Sequence, residues 1–313
     1  MGGSGGSSSF QSRTPEAMRR IIRKTEDDTS VAAFETELGT TLGSLLGAYN
    51  ARDIETGRER LEGVKAALQG SIEGSFDQML GGSVAKHTYV DGLSDIDSLI
   101  LINNTALEMM TPDEVLAYIE MILKQDLGQK ITVSHGRMAV TIDYNDGMII
   151  QVLPALKTDE GRIRVPSSRT NGWSEIDPIA FQQALTRRNK ECAGKLIPTI
   201  KLAKAIIGQL PDAQRLSGYH VESLAIAAFR DYGGEKTTPA MLPIFFERAR
   251  ELVLSPIEDT TGQSVHVDAH LGTANSEARQ TASHVLGRLA RRMRNATVAG
   301  SAAQWQALFG LDQ

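Results

Sequence analysis

Hydrophobic and polar positions divide the chain into three stretches with different periods. From Thr14 to Leu68 apolar residues return every three or four positions, the spacing of helices. TPEAMRRIIRKTEDD carries Pro15 in its first turn, and two further helices are predicted near Ser30 to Tyr49 and Ile54 to Leu68. At Phe76 the period changes. SLILIN reads as a buried strand, ITVSH as another, and MAVTIDYNDGMIIQVLPAL as a hairpin turning at Asn145, Asp146 and Gly147. Between them TPDEVLAYIEMILKQ reads as a helix with a Thr cap and a Pro at its first position. A mixed sheet with helices is predicted as far as about Pro154.

Helical spacing then returns in PIAFQQALTRRNKECAGK, LIPTIKLAKAIIGQ, GYHVESLAIAAFRDY and PAMLPIFFERARELVL, with a late helix near Ser276 to Ala296. The segment Lys157 to Ser174 is the expected crossing between the two regions, and no internal repeat is present. The fold class is therefore α+β, a sheet-bearing core followed by a helical region. Three parts are assigned: a flexible Gly/Ser-rich tail over 1–13, N-terminal helices with the catalytic core over 14–160, and a helical domain over 161–313.

Composition narrows the class. The 313 residues suffice for a substantial core, and 41% hydrophobic with 23% charged residues is the balance of an ordinary soluble protein. No apolar run approaches the roughly 20 residues that span a bilayer, and the N-terminus does not read as a signal peptide. A cytoplasmic protein without membrane contact is expected. The lone Cys192 fits a reducing compartment and is read as a core residue. A net charge of -5 counts against broad capture of duplex nucleic acid. The cluster of Arg288, Arg291, Arg292 and Arg294 reads as a solvated helix face.

Candidate chemistry lies in GGSVAKHTYVDGLSDIDSLILIN. Alternate strand residues share a face, so Asp95 and Asp97 are expected to project together while Ile96 points inward. Two adjacent carboxylates repel unless one is protonated or a cation lies between them. Mg²⁺, with its preference for oxygen ligands, fits that need and recruits phosphate oxygens; Mn²⁺ is a possible substitute. Upstream, Gly82 permits close backbone approach and Ser83 offers a hydroxyl to an anion. Together these residues read as a nucleotide site for phosphoryl or nucleotidyl transfer. The competing reading is that of solvated aspartates at a strand end. Lys86 and Thr88 serve either phosphate contact or the turn.

The same stretch resembles the signature of the DNA polymerase beta-like nucleotidyltransferases, in particular the bacterial cGAS/DncV-like (CD-NTase) and oligoadenylate synthase-like branch. NGWSEIDPIAFQQAL, KLIPTIKLAKAIIGQ with SGYHVESLAIAA, and QWQALFG are similar to later segments of that branch. The resemblance implies a palm-like mixed sheet with metal ligands, packed on a C-terminal helical domain. By position, Gly82 and Ser83 would hold a donor triphosphate and Asp95 and Asp97 would ligate Mg²⁺. Lys204 would bind phosphate and Tyr219 would stack on a base, with Lys201 and Ser217 in support. The plain alternatives are solvated lysines on one helix face and a half-buried packing role for Tyr219. Glu222, one helical step from Tyr219, is read as orienting the helix rather than contacting substrate.

The family pattern places a third carboxylate before a VLPA-like segment. Here IIQVLPAL puts Gln151 there, a neutral amide that coordinates through one oxygen and is no strong base. Asp143 is the candidate replacement if the hairpin pairs even residues with even, which places Asp143, Thr141 and Gln151 on one polar face. The resulting expectation is a Mg²⁺-dependent enzyme that joins nucleoside triphosphates into a cyclic or linear oligonucleotide signal and releases pyrophosphate. The resemblance adds antiphage defence and a downstream effector that binds the product. Transfer of one nucleotide to a protein or RNA acceptor, and a non-catalytic nucleotide sensor, are the rival readings.

Overall fold

The structure, a computed structural model, describes residues 15–49, 54–80, 96–103, 106–128, 131–157, 162–167, 170–257 and 268–311. It begins with α1 (Pro15–Tyr49) and α2 (Ile54–Ser71). The two helices expected before Tyr49 are one continuous helix. No Gly or Pro interrupts Glu26 to Ser30, and Ser, Thr and Asp are weak helix formers rather than breakers. Hydroxyls along α1 turn back onto its own carbonyls: Thr36 Oγ1 donates to Ala32 O at 2.8 Å and Thr40 Oγ1 to Thr36 O at 2.9 Å. The later half of α1 buries Phe34, Leu38 and Leu42 at four-residue intervals, whereas residues 29–33 are exposed.

A seven-stranded mixed sheet follows. Its strands are β1 (Ser75–Leu80), β2 (Ile96–Asn103), β3 (Ile131–His135), β4 (Val140–Tyr144), β5 (Ile149–Lys157), β6 (Ile163–Pro166) and β7 (Trp173–Ile176), with α3 (Pro112–Asp126) between β2 and β3. The order is β1-β2-β5-β4-β3, with β6 beside β5 and β7 beside β6. β2 and β5 run parallel, and the other pairs are antiparallel.

Strand parity assigns the faces. Even-numbered Ile100, Ile102, Val140, Ile142, Ile150 and Val152 are buried against Val64 and Leu68 of α2 and Val115, Leu116 and Ile119 of α3. Odd-numbered Leu99, Leu101, Ala155 and Val165 form a smaller cluster on the other face. Helix α3 begins as expected at Thr111: its Oγ1 accepts from Glu114 N at 3.4 Å, and Glu114 Oε2 accepts from Thr111 N at 2.8 Å. Such a reciprocal cap contributes about 1 kcal/mol.

The sheet extends beyond Pro154, to Ile176. Pro154 is tolerated in β5 because β4 pairing ends at Val152 and β6 pairing starts at Leu156. One edge of β5 therefore has no ladder partner where the N–H is missing. The segment expected as a crossing holds β6 and the start of β7, strands of four residues each, too short to show a period.

The remaining elements are helices: α4 (Pro178–Glu191), α5 (Leu196–Gly208), α6 (Gly218–Ala228), α7 (Thr238–Leu252), α8 (Glu277–Val298) and α9 (Ala302–Gln306). They share one core that includes Ile200, Leu224, Phe245, Phe246, Leu289 and Trp305. Phe34, Leu38 and Leu42 of α1 join this helical core, whereas Leu61, Val64 and Leu68 of α2 join the sheet core. Arg60 also ties α2 to the β4–β5 turn. Its guanidinium donates to both Asp146 oxygens at 2.9 and 2.6 Å and lies 4.1 Å from the centre of the Tyr144 ring. That guanidinium, with help from the Met148 N–H, lowers the Asp146 carboxyl to about 2.

Candidate functional site

Among the described residues, the candidates fall on two structural supports. On the sheet, Asp97 is the Cα partner of Gln151 in the parallel β2–β5 pair, and Gln151 is the partner of Thr141 in the antiparallel β4–β5 pair. Positions 97, 151 and 141 therefore stand level across three adjacent strands, about 4.8 Å from one to the next. The hairpin pairs Ile142 with Ile150, even with even, and Asp143 with Ile149. Asp143 lies one alternate position nearer the turn than Thr141, diagonal to Gln151. Asp143 is exposed, and Thr141 and Gln151 are half-buried.

Along β5 this face turns from polar to apolar. From Gln151, β5 continues on this face to Leu153 and Ala155, which pack with Leu99 and Leu101 of β2. Polar oxygen donors thus adjoin a small apolar cluster. Gly82, Ser83 and Asp95 lie outside the described residues, as do Lys86, Thr88 and the side chain of Asp97. Among the described residues no group of three or more His, Cys, Asp or Glu side chains is placed to hold a metal. The donors that the β2–β5–β4 register aligns, a carboxylate position, an amide and a hydroxyl, form an all-oxygen set, which fits a hard divalent cation.

The second support is the α5–α6 pair. Lys204, three residues after Lys201 on α5, is buried and its Nζ donates to Glu222 Oε1 on α6 at 2.8 Å. The two side chains are 7% and 1% exposed, so the sequence alternative of a solvated Lys204 is not what the structure shows. Lys201 is half-buried; burial, and then the neighbouring Lys204 charge, pushes its ammonium pKa down.

The start of α6 is built around this pair. Ser217 is the N-cap, its Oγ accepting from His220 N at 3.2 Å. A Cβ added to Gly218 would stand 3.2 Å from Lys204 Nζ and 3.3 Å from its Cε. The lack of a side chain at Gly218 lets the ammonium approach the first turn of the helix. Tyr219 is exposed, and its ring lies 4.6 Å, centre to centre, from that of buried Phe181 on α4. Phe181 and Gly218 were not singled out from sequence. Phe181 looks there like any helical core position, and a glycine opening a helix shows nothing of a lysine from another helix.

Behind the same turn lies a second buried polar group. His220 is fully buried, with its Nε2 3.7 Å from Asp268 Oδ2. Burial lowers the imidazole to about 4. Asp268 is engaged elsewhere: Arg279 Nη1 donates to its Oδ2 at 2.6 Å and Ile257 N to its Oδ1 at 3.2 Å. Burial alone would raise the Asp268 carboxyl, but these hydrogen bonds and the Arg279 charge hold it below its ordinary range. Arg279 also donates to Val253 O, Ser255 O and Gly272 O, which ties the start of α8 to the end of α7.

Residues 48–189 match the family model of the Second Messenger Oligonucleotide or Dinucleotide Synthetase (SMODS) domain, a span that includes β2, β4, β5 and α2. Similar solved structures include the Bradyrhizobium diazoefficiens CD-NTase CdnG in complex with GTP, at 15% identity and TM-score 0.63, covering 90% of this chain and 95% of that one. The Vibrio cholerae DncV cyclic AMP-GMP synthase with nonhydrolyzable GTP is 12% identical, with TM-score 0.62 and coverage of 96% and 92%. CdnC from E. coli MS115-1 with ATP is 17% identical, with TM-score 0.59 and coverage of 90% and 97%. Among curated proteins none matches significantly by sequence. The expected α+β, polymerase beta-like fold is the one observed.

Proposed function

We propose that this chain, which carries a SMODS domain of the nucleotidyltransferase class over residues 48–189, joins nucleoside triphosphates into a cyclic or linear oligonucleotide and releases pyrophosphate. The observation that carries the proposal is the β2–β5 register within that domain, which sets Asp97 level with Gln151. In this reading residues 14–160 supply the reacting centre and the first hold on the donor phosphates, and residues 161–313 add Lys204 and Tyr219 to the grip on the nucleotide. A signalling role in antiphage defence, with an effector that binds the product, extends the same reading.

The reaction is displacement at an α-phosphorus. A ribose hydroxyl oxygen forms the new O–P bond, the bond to the bridging oxygen breaks, and pyrophosphate leaves. Asp95 and Asp97, with Gln151 and Asp143 as further oxygen donors, would hold Mg²⁺ or Mn²⁺, which supplies charge neutralisation at the attacking oxygen and the leaving group. Gln151 has no basic oxygen, so the hydroxyl proton passes to an aspartate or to solvent, and Asp143 is the carboxylate nearest Gln151 on β4. Gly82 and Ser83 hold the donor phosphates. Lys204, with Lys201 and Ser217 close by, offsets their charge, and Tyr219 offers its ring to a base.

Gln151 also favours a second reading, a nucleotide sensor without turnover. Pyrophosphate release across ribo- and deoxyribonucleoside triphosphates with Mg²⁺ or Mn²⁺ separates the two. Catalysis predicts release that falls about thousandfold or more in the Asp95→Ala, Asp97→Ala double variant. Release unchanged by that variant would remove the site assignment, and binding without release from any triphosphate would establish the sensor. Mass analysis of the product distinguishes an oligonucleotide from a labelled protein or RNA acceptor.

A further inference from the structure

We propose that Glu222 is a positioning residue that sets how tightly the site holds polyphosphate, by standing as the counter-charge of Lys204 when no phosphate is bound. The inference rests on the reading of Lys204 as a phosphate-binding group. Three observations lead to it. The Lys204 ammonium lies against Gly218, the first residue of α6, where the helix presents its positive end. It is also 7% exposed, so water supplies little of its solvation. An ammonium so placed loses its proton or moves away unless an anion compensates it. Glu222, 1% exposed and one turn further along α6, supplies that anion at 2.8 Å.

A triphosphate or pyrophosphate entering here meets a lysine already paired. Its binding exchanges one anionic partner of Lys204 for two, so the affinity is a difference between the pull of the lysine and the repulsion of Glu222. The consequence is a moderated grip. Lys204 stays charged and correctly placed between turnovers, and the leaving pyrophosphate is not held as strongly as an unpaired lysine would hold it. Glu222→Gln retains the shape and a hydrogen bond to Lys204 while removing the competing charge.

The test is titration calorimetry of the full chain with inorganic pyrophosphate, alongside thermal unfolding. Glu222→Gln is expected to bind pyrophosphate about five- to tenfold more tightly than the native chain. Where triphosphate turnover is measured, KM and kcat are expected to fall together as product release slows. Glu222→Asp draws the carboxylate back by one methylene and is the second variant should Glu222→Gln fail to fold; its affinity for pyrophosphate should also rise. Equal or weaker pyrophosphate binding in a folded Glu222 variant would overturn the proposal and leave Glu222 a packing residue. Lys204→Met tests the underlying reading separately: if it binds pyrophosphate as the native chain does, the phosphate role of Lys204 fails, and this inference fails with it.

Discussion

The two halves of the candidate site handle charge in opposite ways. On the sheet, Asp143 is exposed and Gln151 half-buried at the end of a strand pair, where solvent and an incoming cation can balance negative charge. On the helices, Lys204 is paired inside the protein with Glu222 and closed over by Gly218. One half lies at or near the surface, and the other holds its charge pair inside the protein. A charge near water is cheap to keep unpaired, whereas a buried one must bring its partner with it. The helical half is therefore the part of the site on which stability depends, and the sheet half the part that can be altered with little effect on folding.

The largest expected effect breaks this comparison directly. Lys204→Met leaves Glu222 buried without its cation and should lower unfolding free energy by about 3–5 kcal/mol in urea denaturation. Combining it with Glu222→Leu should restore most of the stability while leaving polyphosphate binding lost. A double variant as unstable as the single one would show that the pair is not the source of the loss.

Next comes the buried histidine behind α6. His220 has a folded value of about 4 against an ordinary 6.5, so between those values the unfolded chain binds the extra proton. Its contribution is fully present above pH 6.5 and is lost as pH falls toward 4, by up to about 3 kcal/mol at one pKa unit per 1.4 kcal/mol. Asp268, Arg279 and His270 face the same ring and contribute to its environment. His220→Leu should flatten the pH dependence of unfolding over that window, and an unchanged slope would assign it to other groups.

The sheet half is sharpened by exchanging its two oxygen donors. Asp143→Asn is expected to lower turnover about tenfold or more and to raise the Mg²⁺ concentration needed, while Gln151→Glu should lower that concentration. Melting temperatures should hardly move in either variant, since Asp143 is exposed and Gln151 half-buried. Unchanged metal dependence in both would remove this strand pair from the metal site. The smallest effect is expected at the N-cap: Ser217→Ala should cost about 1 kcal/mol of stability, read in the same urea titration.

Much of this arrangement was legible from spacing. The Thr111 cap and the β4–β5 turn follow from local chemistry, because each needs only neighbours in the chain, whereas the even-with-even pairing of the hairpin came from the structure. Three further features did not follow. The α1 break expected between Asp28 and Ser30 is absent, since weak helix formers yield to continuity when nothing opposes it. Strands β6 and β7 are too short to carry a period. Phe181 meets Tyr219, and Gly218 meets Lys204, across elements whose contact no local pattern encodes.

By itself the sequence determined that Asp97 lies near the start of a strand, that Gln151 leads into the apolar run VLPAL, and that Lys201 and Lys204 share a helix. Periodicity and residue chemistry act over a few bonds, so these statements need no fold. Tertiary structure decided that Gln151 lies level with Asp97, because β5 enters between β2 and β4. It also decided that Lys204 is a buried cation held by Glu222 rather than a solvated one. Burial and counter-charge depend on which helices pack together, and that packing is settled by the whole core at once.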